Sequence, residues 1–498
     1  MRLPVLSALL LLGAARLPAQ ASPYVPLDDP RLPAFEHLVA TGDVRDPSPF
    51  VRPFRRADAI RMLSAALGHG RARDTALITE LQQAWREDTA ETHWQVEGRA
   101  GFQAYSHARR DPLHPGGPDG ARPYVDLGLG ATFGNVVLAS RPAIEPRLVK
   151  DPDWSGRKEL KVTGRQVEAY LSAQFKFIRL FYGELDQNWG PVGVPGIGLS
   201  NYGYPHPHFG VEIGNANFRL SAQASTLADQ TDSSGGVIHR YFFAHRLDAR
   251  LGHRVHLGLW ETVVLSGLDR GFDARYRNPV SLLLLANEYG LGDKGNVLLG
   301  LDLLWRVSER VSLQGQFALD DFQYQHRSGP TRAPDRYAFT VAASGPLAGR
   351  FGWRALYTQA SSLAFRTINP SENFTDLGVG LGRSFADDDQ ATLTLSIPAR
   401  HLWLVTPELT LLRQGEGLIS DPFPSGTARG DTPTLFIGTV ERTWRAALGV
   451  SGREGPVAVQ GDLGIHLRQN ADHVSGRSRT AFVGRVQLTV ALGKRGTF

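Results

Sequence analysis

The chain of 498 residues contains no cysteine, so disulfide staples, thiolate metal centres and a cysteine nucleophile are excluded. Lysine is scarce: among 54 basic residues only Lys150, Lys158, Lys161, Lys176, Lys294 and Lys494 carry an ammonium group. The arginine excess would suit anionic ligands, since a guanidinium matches carboxylates and phosphates, although a GC-rich genome explains the same bias more simply. No run of ~18 apolar residues exists to make a membrane helix. The enzymatic motifs G-x-S-x-G, H-E-x-x-H and the Walker-type glycine loop are absent. His, Ser and Asp are scattered through every loop with no spacing that selects a set, so no catalytic residues are assigned. The formal net charge is +5. Without Arg2 and Arg16 it falls to +3, too near neutral to argue for a nucleic-acid partner.

What is present begins with a leader. Arg2, an apolar core from Leu9 to Leu12 and the A-x-A site Ala19-Gln20-Ala21 read as a signal peptide over residues 1–21, with the mature chain starting near Ser22. Residues 22–91 carry helical periodicity. Leu32, Phe35, Leu38 and Val39 share a face that Gly42 ends, and Ala57, Ile60, Leu63 and Leu67 share a second that Gly68 ends. A third has Asp74 as N-cap and Leu77, Ile78, Leu81 and Trp85 as its stripe. Three such helices make a small periplasmic bundle, too short and too polar to span a bilayer.

From Thr92 onward the period is two. Val297, Leu299, Leu301, Leu303, Trp305 and Val307 are apolar, while Asn296, Asp302 and Arg306 fall on the other face. Tyr241, Phe243, Leu247 and Leu251 oppose Arg240, Arg246, Asp248 and Arg250. Val486, Leu488, Val490 and Leu492 oppose Arg485, Gln487 and Thr489. A sandwich or a propeller would alternate too, so connection lengths decide. Tight turns near residues 133–135, 176, 214–217, 252–253, 308–310, 345–349, 387–389 and 452–455 alternate with nine long polar or Gly/Pro-rich connections. Short then long is the signature of an up-and-down outer-membrane barrel. The expected fold is an all-β membrane protein, a transmembrane antiparallel β-barrel of about 18 strands over residues 92–498, behind the helical bundle. This count needs residues 390–413 to be one strand running past Pro398 and Pro407, and it treats the apolar run 281–286 as loop, with a place inside the lumen open to it. The terminal Phe498 suits a last barrel strand.

One stretch has no counterpart elsewhere. Residues 184–209, ELDQNWGPVGVPGIGLSNYGYPHPHF, are too rich in Gly, Pro and aromatics for a helix or a central strand, and too aromatic for a linker. They are expected to be an extracellular loop with two compatible readings. As a sugar surface, Trp189, Tyr202 and Tyr204 would stack on sugar faces while Asp186, Asn188, Asn201, His206 and His208 bond to hydroxyls. As a plug, the same rings would close the barrel mouth. His206 and His208 have metal-ligand spacing without a third ligand, so no metal is assigned. Asp387-Asp388-Asp389 reads as a solvated charge cluster on a turn. Arg240, Arg246, Arg250 and Arg306 are expected to face the lumen, either paired structurally or as an electropositive lining.

Three patches resemble the capsule assembly Wzi family of outer-membrane proteins. They are SPYVPLDDP with the short helices after it, GELDQNWGPVGVPGIGLSNYGYPHPHFG, and the stretch from RYRNPV to NVLLGLDLLWR at residues 275–306. The resemblance implies a barrel with a periplasmic helical bundle, occluding loops and a lectin-like role. Such proteins hold capsular polysaccharide at the cell surface without exporting it. The expectation is a non-enzymatic monomer in the cell outer membrane, in contact with its lipid, that binds or anchors capsular or other surface polysaccharide and needs no cofactor. A porin-like channel for small or acidic solutes is the alternative, and a barrel hydrolase the third.

Overall fold

The computed structural model describes residues 21–70, 72–86, 92–106, 112–113, 117–272, 278, 280–283, 295–321 and 333–498. Three helices, α1 (Leu32–Thr41), α2 (Arg56–Gly68) and α3 (Thr75–Ala84), precede the strands. Asp74 caps α3 by accepting from the Leu77 N–H, and Gly42 ends α1 in the left-handed region. Phe35, Leu38, Leu63, Leu81 and Trp85 close a small apolar core between the helices.

Twenty strands follow: β1 (Thr92–Tyr105), β2 (Gly120–Phe133), β3 (Val136–Ile144), β4 (Gly164–Gln174), β5 (Ile178–Glu184), β6 (His208–Gly214), β7 (Phe218–Thr231), β8 (Val237–Leu251), β9 (Val255–Leu268), β10 (Asn296–Arg306), β11 (Ser312–Asp321), β12 (Arg336–Pro346), β13 (Gly352–Ala360), β14 (Thr375–Asp376), β15 (Val379–Gly380), β16 (Asp388–Pro398), β17 (Leu404–Gln414), β18 (Glu441–Glu454), β19 (Val457–Gln469) and β20 (Ser478–Thr497). β14 and β15 form a separate two-stranded hairpin, and the other strands make one 18-stranded antiparallel sheet. It closes because β1 pairs β2 on one side and β20 on the other, leaving no edge. The alternating period becomes two environments. Leu301, Trp305, Trp444, Leu467 and Phe482 are exposed on the outer wall, where Trp444 stands opposite Leu467 and Phe482 opposite Ile465. Asp302, Gln316, Arg246 and Asp126 are buried on the inner face. Apolar outside and polar inside is the lipid-facing arrangement of an outer-membrane barrel.

The helical segment sits at the short-turn rim, which faces the periplasm in such barrels. Arg45 donates to the Gly252 carbonyl in the β8–β9 turn, and Arg350 in the β12–β13 turn pairs with Asp74. Residues before α2 lie in the bore itself. The Tyr24 N–H donates to the Tyr170 hydroxyl, Asp28 pairs with Arg141, and His37 Nδ1 is 2.7 Å from Ser396 Oγ.

Two expectations are corrected within the wall. There is no turn at residues 387–389 and no single strand over 390–413: β16 and β17 are separate, joined at residues 399–403. The total of eighteen survives because the strand implied before residue 387 is also absent, its place taken by the inner hairpin. Pro398 ends β16, and Pro407 lies where the β16–β17 ladder is interrupted, so its missing N–H deprives no partner there. The three aspartates are not solvated. Asp387 accepts from the N–H groups of Gly417, Phe436 and Ile437, Asp388 pairs with Arg383, and Asp389 pairs with Arg413.

The run 281–286 does not enter the lumen within its described residues. Leu283 packs on the outer wall against Phe243, Val263 and Leu265, and its N–H donates to Glu261 at 2.7 Å. This cover explains how His245 and Glu261, a pair on the lipid-facing side, stay buried and bonded to each other at 3.2 Å. Residues 284–286 lie outside the described residues.

Candidate functional site

The aromatic stretch leaves β5 at the long-loop rim and turns inward. Its backbone reaches the N-terminal segment: Arg52 and Asn188 exchange two N–H···O bonds of 2.9 and 3.0 Å. Asn188 then builds a tight fold, donating from Nδ2 to the Val194 carbonyl at 2.9 Å and accepting the Gly196 N–H at 2.6 Å. Gly196 is required there, because a Cβ would lie 2.1 Å from the Trp189 carbonyl oxygen. Gln316 on β11 holds both sides of the fold, donating to the Trp189 carbonyl at 2.8 Å and accepting from the Ile197 N–H at 2.9 Å.

Trp189 is not a surface ring. It is buried among Ile197, Leu199, Phe242, Trp260 and Phe365 in an apolar core that fills one side of the bore. The Arg246 guanidinium lies 5.7 Å from its ring centre and is held by Asp248 at 2.9 Å and Asp302 at 2.5 Å. Asp302 also accepts from Trp260 Nε1 and Gln316 Nε2. This charged layer is satisfied on every side and positions Trp189 rather than facing solvent.

The other candidate arginines act on the chain itself. Arg240 is fully buried, donates to the Ser371 and Thr375 carbonyls at 2.6 Å each and lies 3.6 Å from Asp376. It thereby holds the β14–β15 hairpin inside the barrel. Arg250 donates to the Asp46 and Pro47 carbonyls, and Arg306 lies beside Gly42. His206 Nε2 contacts Asp376 at 2.8 Å, tying the aromatic loop to the same hairpin, and the His208 ring stacks on Phe181 at 4.5 Å. Among the described residues no group of three or more His, Asp or Glu is placed to hold a metal.

Opposite the apolar core the bore holds a cavity of about 660 Å³. Asp186, Asn201, Tyr202 and Tyr204 line it from the loop, and β1, β2 and β16 to β20 supply the facing wall. Tyr204 donates to Asp151 at 2.6 Å, meets Trp154 edge-on at 5.0 Å and has the Arg165 guanidinium 5.2 Å from its ring centre. Buried Glu145 bridges Arg147 and Arg165 at 3.0 Å each, and Arg147 bonds on to Gln103 and Asp151. Gln103 donates to Gln487 on β20. Tyr202 meets Phe385 edge-on at 5.5 Å. Burial pushes the Asp186 carboxyl up to about 7, only partly offset by Arg165.

The cavity therefore joins four of the eight loop residues singled out in the sequence. Asn188, Trp189, His206 and His208 hold the loop in place instead. Tyr105, Gln103, Glu145, Arg147, Asp151, Arg165 and Phe385 belong to the site without having been singled out. For those on strands the one available signal was parity, since they fall on the polar side of the alternation, but parity marks every lumen position equally. At the inner end His37 faces Ser396, and burial holds this imidazole down to about 4, so it is a weak base at neutral pH.

Fold and bore together define an outer-membrane β-barrel whose lumen is filled on one side and lined by paired polar groups on the other. No protein-family model matches the sequence, and no curated protein is similar to it by sequence. Among solved structures it is similar to Wzi, an outer membrane protein involved in group 1 capsule assembly in Escherichia coli and a carbohydrate binding β-barrel. The TM-score is 0.63 at 14% identity, covering 96% of this chain and 100% of that one. The likeness is one of fold and spans nearly the whole chain. Weaker similarity is found to Pseudomonas aeruginosa OccK11, with TM-score 0.42, 12% identity, and 81% and 96% coverage. The outer membrane protein OprD from Pseudomonas aeruginosa follows at TM-score 0.43, 10% identity, and 81% and 94% coverage.

Proposed function

We propose that this protein is a non-enzymatic, lectin-like outer-membrane barrel that binds capsular or other surface polysaccharide. One observation carries the reading: the aromatic loop crosses the bore to pair with the N-terminal segment, leaving a polar, ring-lined cavity beside it. Tyrosine rings beside amides, carboxylates and guanidinium groups are the chemistry that recognises a sugar, one offering an apolar face and the others hydroxyl partners. Structural likeness to a carbohydrate binding β-barrel supports the same reading.

The test has two arms. Purified protein in planar bilayers should give no large, stable open conductance; a steady open current would favour the porin-like alternative. Immobilised surface polysaccharide should retain the wild type and release Tyr204→Ala and Tyr202→Ala variants. Equal retention of all three would remove the cavity from the site.

A further inference from the structure

We propose that the cavity takes the end of a saccharide chain, inserted lengthwise, so that the protein recognises chain termini and not internal repeats. This rests on the polysaccharide reading above and adds a geometry to it.

The cavity is elongated along the strands. Its wall on β16 runs from Gln390 to Ser396 and on β18 from Arg445 to Ser451, which at ~3.3 Å per residue is ~20 Å of strand. At the long-loop end lie Leu113, Asn201, Phe385 and Gln390, and at the other end lie Glu36 and His37 of α1. The far end is crossed by the N-terminal segment, fixed there by the contact between His37 and Ser396 and by the pair Asp28 and Arg141.

Two topological facts limit what can enter. The barrel is closed by continuous pairing of β1 with β20, so no polymer slips in sideways. The remaining bore is divided by the aromatic loop, whose fold is locked by Asn188 and whose tip is held by the Arg354 donation to the Val192 carbonyl. An internal segment would have to enter as a doubled strand in a bore already half filled, whereas a terminus enters singly.

The lining chemistry fits an uncharged, hydroxyl-rich terminus. Tyr202 and Tyr204 stand in the loop half, and the amides of Gln103, Gln460 and Gln487 lie along the wall. Most of the arginines among them are matched by carboxylates, Arg147 by Asp151, Arg383 by Asp388, and Arg445 by Glu408 and Asp462, while Arg354 is bonded to the Val192 carbonyl of the loop. A chain end carrying its own charge would have to displace one of these partners.

Surface polysaccharide extracted from the source cells, whole and after sonication, tests this by competition against the immobilised whole polymer, using the full-length protein in detergent. Fragments about one-tenth as long carry about ten times as many ends per gram, so half-inhibition should fall at about one-tenth of the mass concentration. Gln460→Trp, which fills the inner half of the cavity, should weaken retention by about tenfold or more while the protein keeps its heat-modifiable, folded migration. Equal potency per gram for whole and fragmented polymer, or unchanged retention by Gln460→Trp, overturns end insertion while polysaccharide binding stands. Failure of the immobilised polymer to retain wild type overturns both.

Discussion

Arg52 and Asn188 are joined through their backbones by two hydrogen bonds, of 2.9 and 3.0 Å, although one belongs to the N-terminal segment at the short-turn rim and the other to a loop from the opposite rim. The Arg52 side chain is in turn paired with Asp46 and Glu36. Cap and loop are thus joined into one continuous body inside the barrel.

The first prediction concerns that junction. Asn188→Ala removes both side-chain bonds that fold residues 188–196 and leaves the Gly196 N–H without its acceptor. A buried donor left unpaired costs about 1–3 kcal/mol. Hydrogen exchange should quicken locally over this loop while the strands keep their protection, and bilayer recordings should show brief openings that the wild type lacks.

Two aromatic substitutions in the same loop should separate stability from binding. Trp189→Ala empties a site in the apolar core and should cost about 3–5 kcal/mol, read as a lowered midpoint of thermal unfolding in detergent. Tyr204→Ala should disturb stability less, since the ring lines the cavity, but should weaken polysaccharide retention. Retention lost by Trp189→Ala without any loss of stability would contradict this division.

Arg246→Met tests the charged layer beneath Trp189. It leaves Asp302 buried without its cation, a change that typically costs about 3–5 kcal/mol, while Asp248 keeps Arg219 at 3.3 Å and His256 at 3.0 Å. The expected outcome is a destabilised barrel with increased flicker in conductance. Combining it with Asp302→Asn should recover part of the loss, because the uncompensated charge is then gone.

The pH dependence follows from Asp186. Burial raises its carboxyl from the ordinary value to about 7 in the folded chain. The folded state therefore binds the proton more tightly than the unfolded state, and this group's contribution to stability falls as pH rises from about 4 to about 7. Asp186→Asn should raise the unfolding midpoint at pH 8 relative to wild type and change it little at pH 4. An equal effect at both would mean that the carboxyl is not the cause.

Much of the wall was legible in advance, for a local reason. Leu301, Leu303 and Trp305 against Asp302 and Arg306 expose an alternating period that survives whatever the strand pairs with. Seven of the eight tight turns follow from small and polar residues between such runs. The exception near residue 387 has a physical cause: three adjacent carboxylates look solvated in one dimension, yet all three are paired in the fold, Asp388 with nearby Arg383, Asp389 with Arg413, and Asp387 with the N–H groups of Gly417, Phe436 and Ile437.

The bore was far less legible. Trp189 and Tyr204 stand in one loop and are equally aromatic, but one is sealed in the core and the other lines the cavity. Their difference lies in Trp260 and Phe242 on one side and Asp151 and Arg165 on the other. Nothing in the local spacing encodes those contacts.

The sequence by itself therefore determined the barrel, the helical segment before it and the unusual character of residues 184–209, because periodicity and turn chemistry are properties of neighbouring residues, whereas the total of eighteen strands held only because one missing strand and one divided strand offset each other. Only the tertiary structure decided that this loop runs inward to meet Arg52, which of its rings line the cavity, and that Arg240 and Arg246 hold parts of the protein in place. Those outcomes depend on charge pairing and packing between segments remote in the chain, and closure of the barrel is what brings them together.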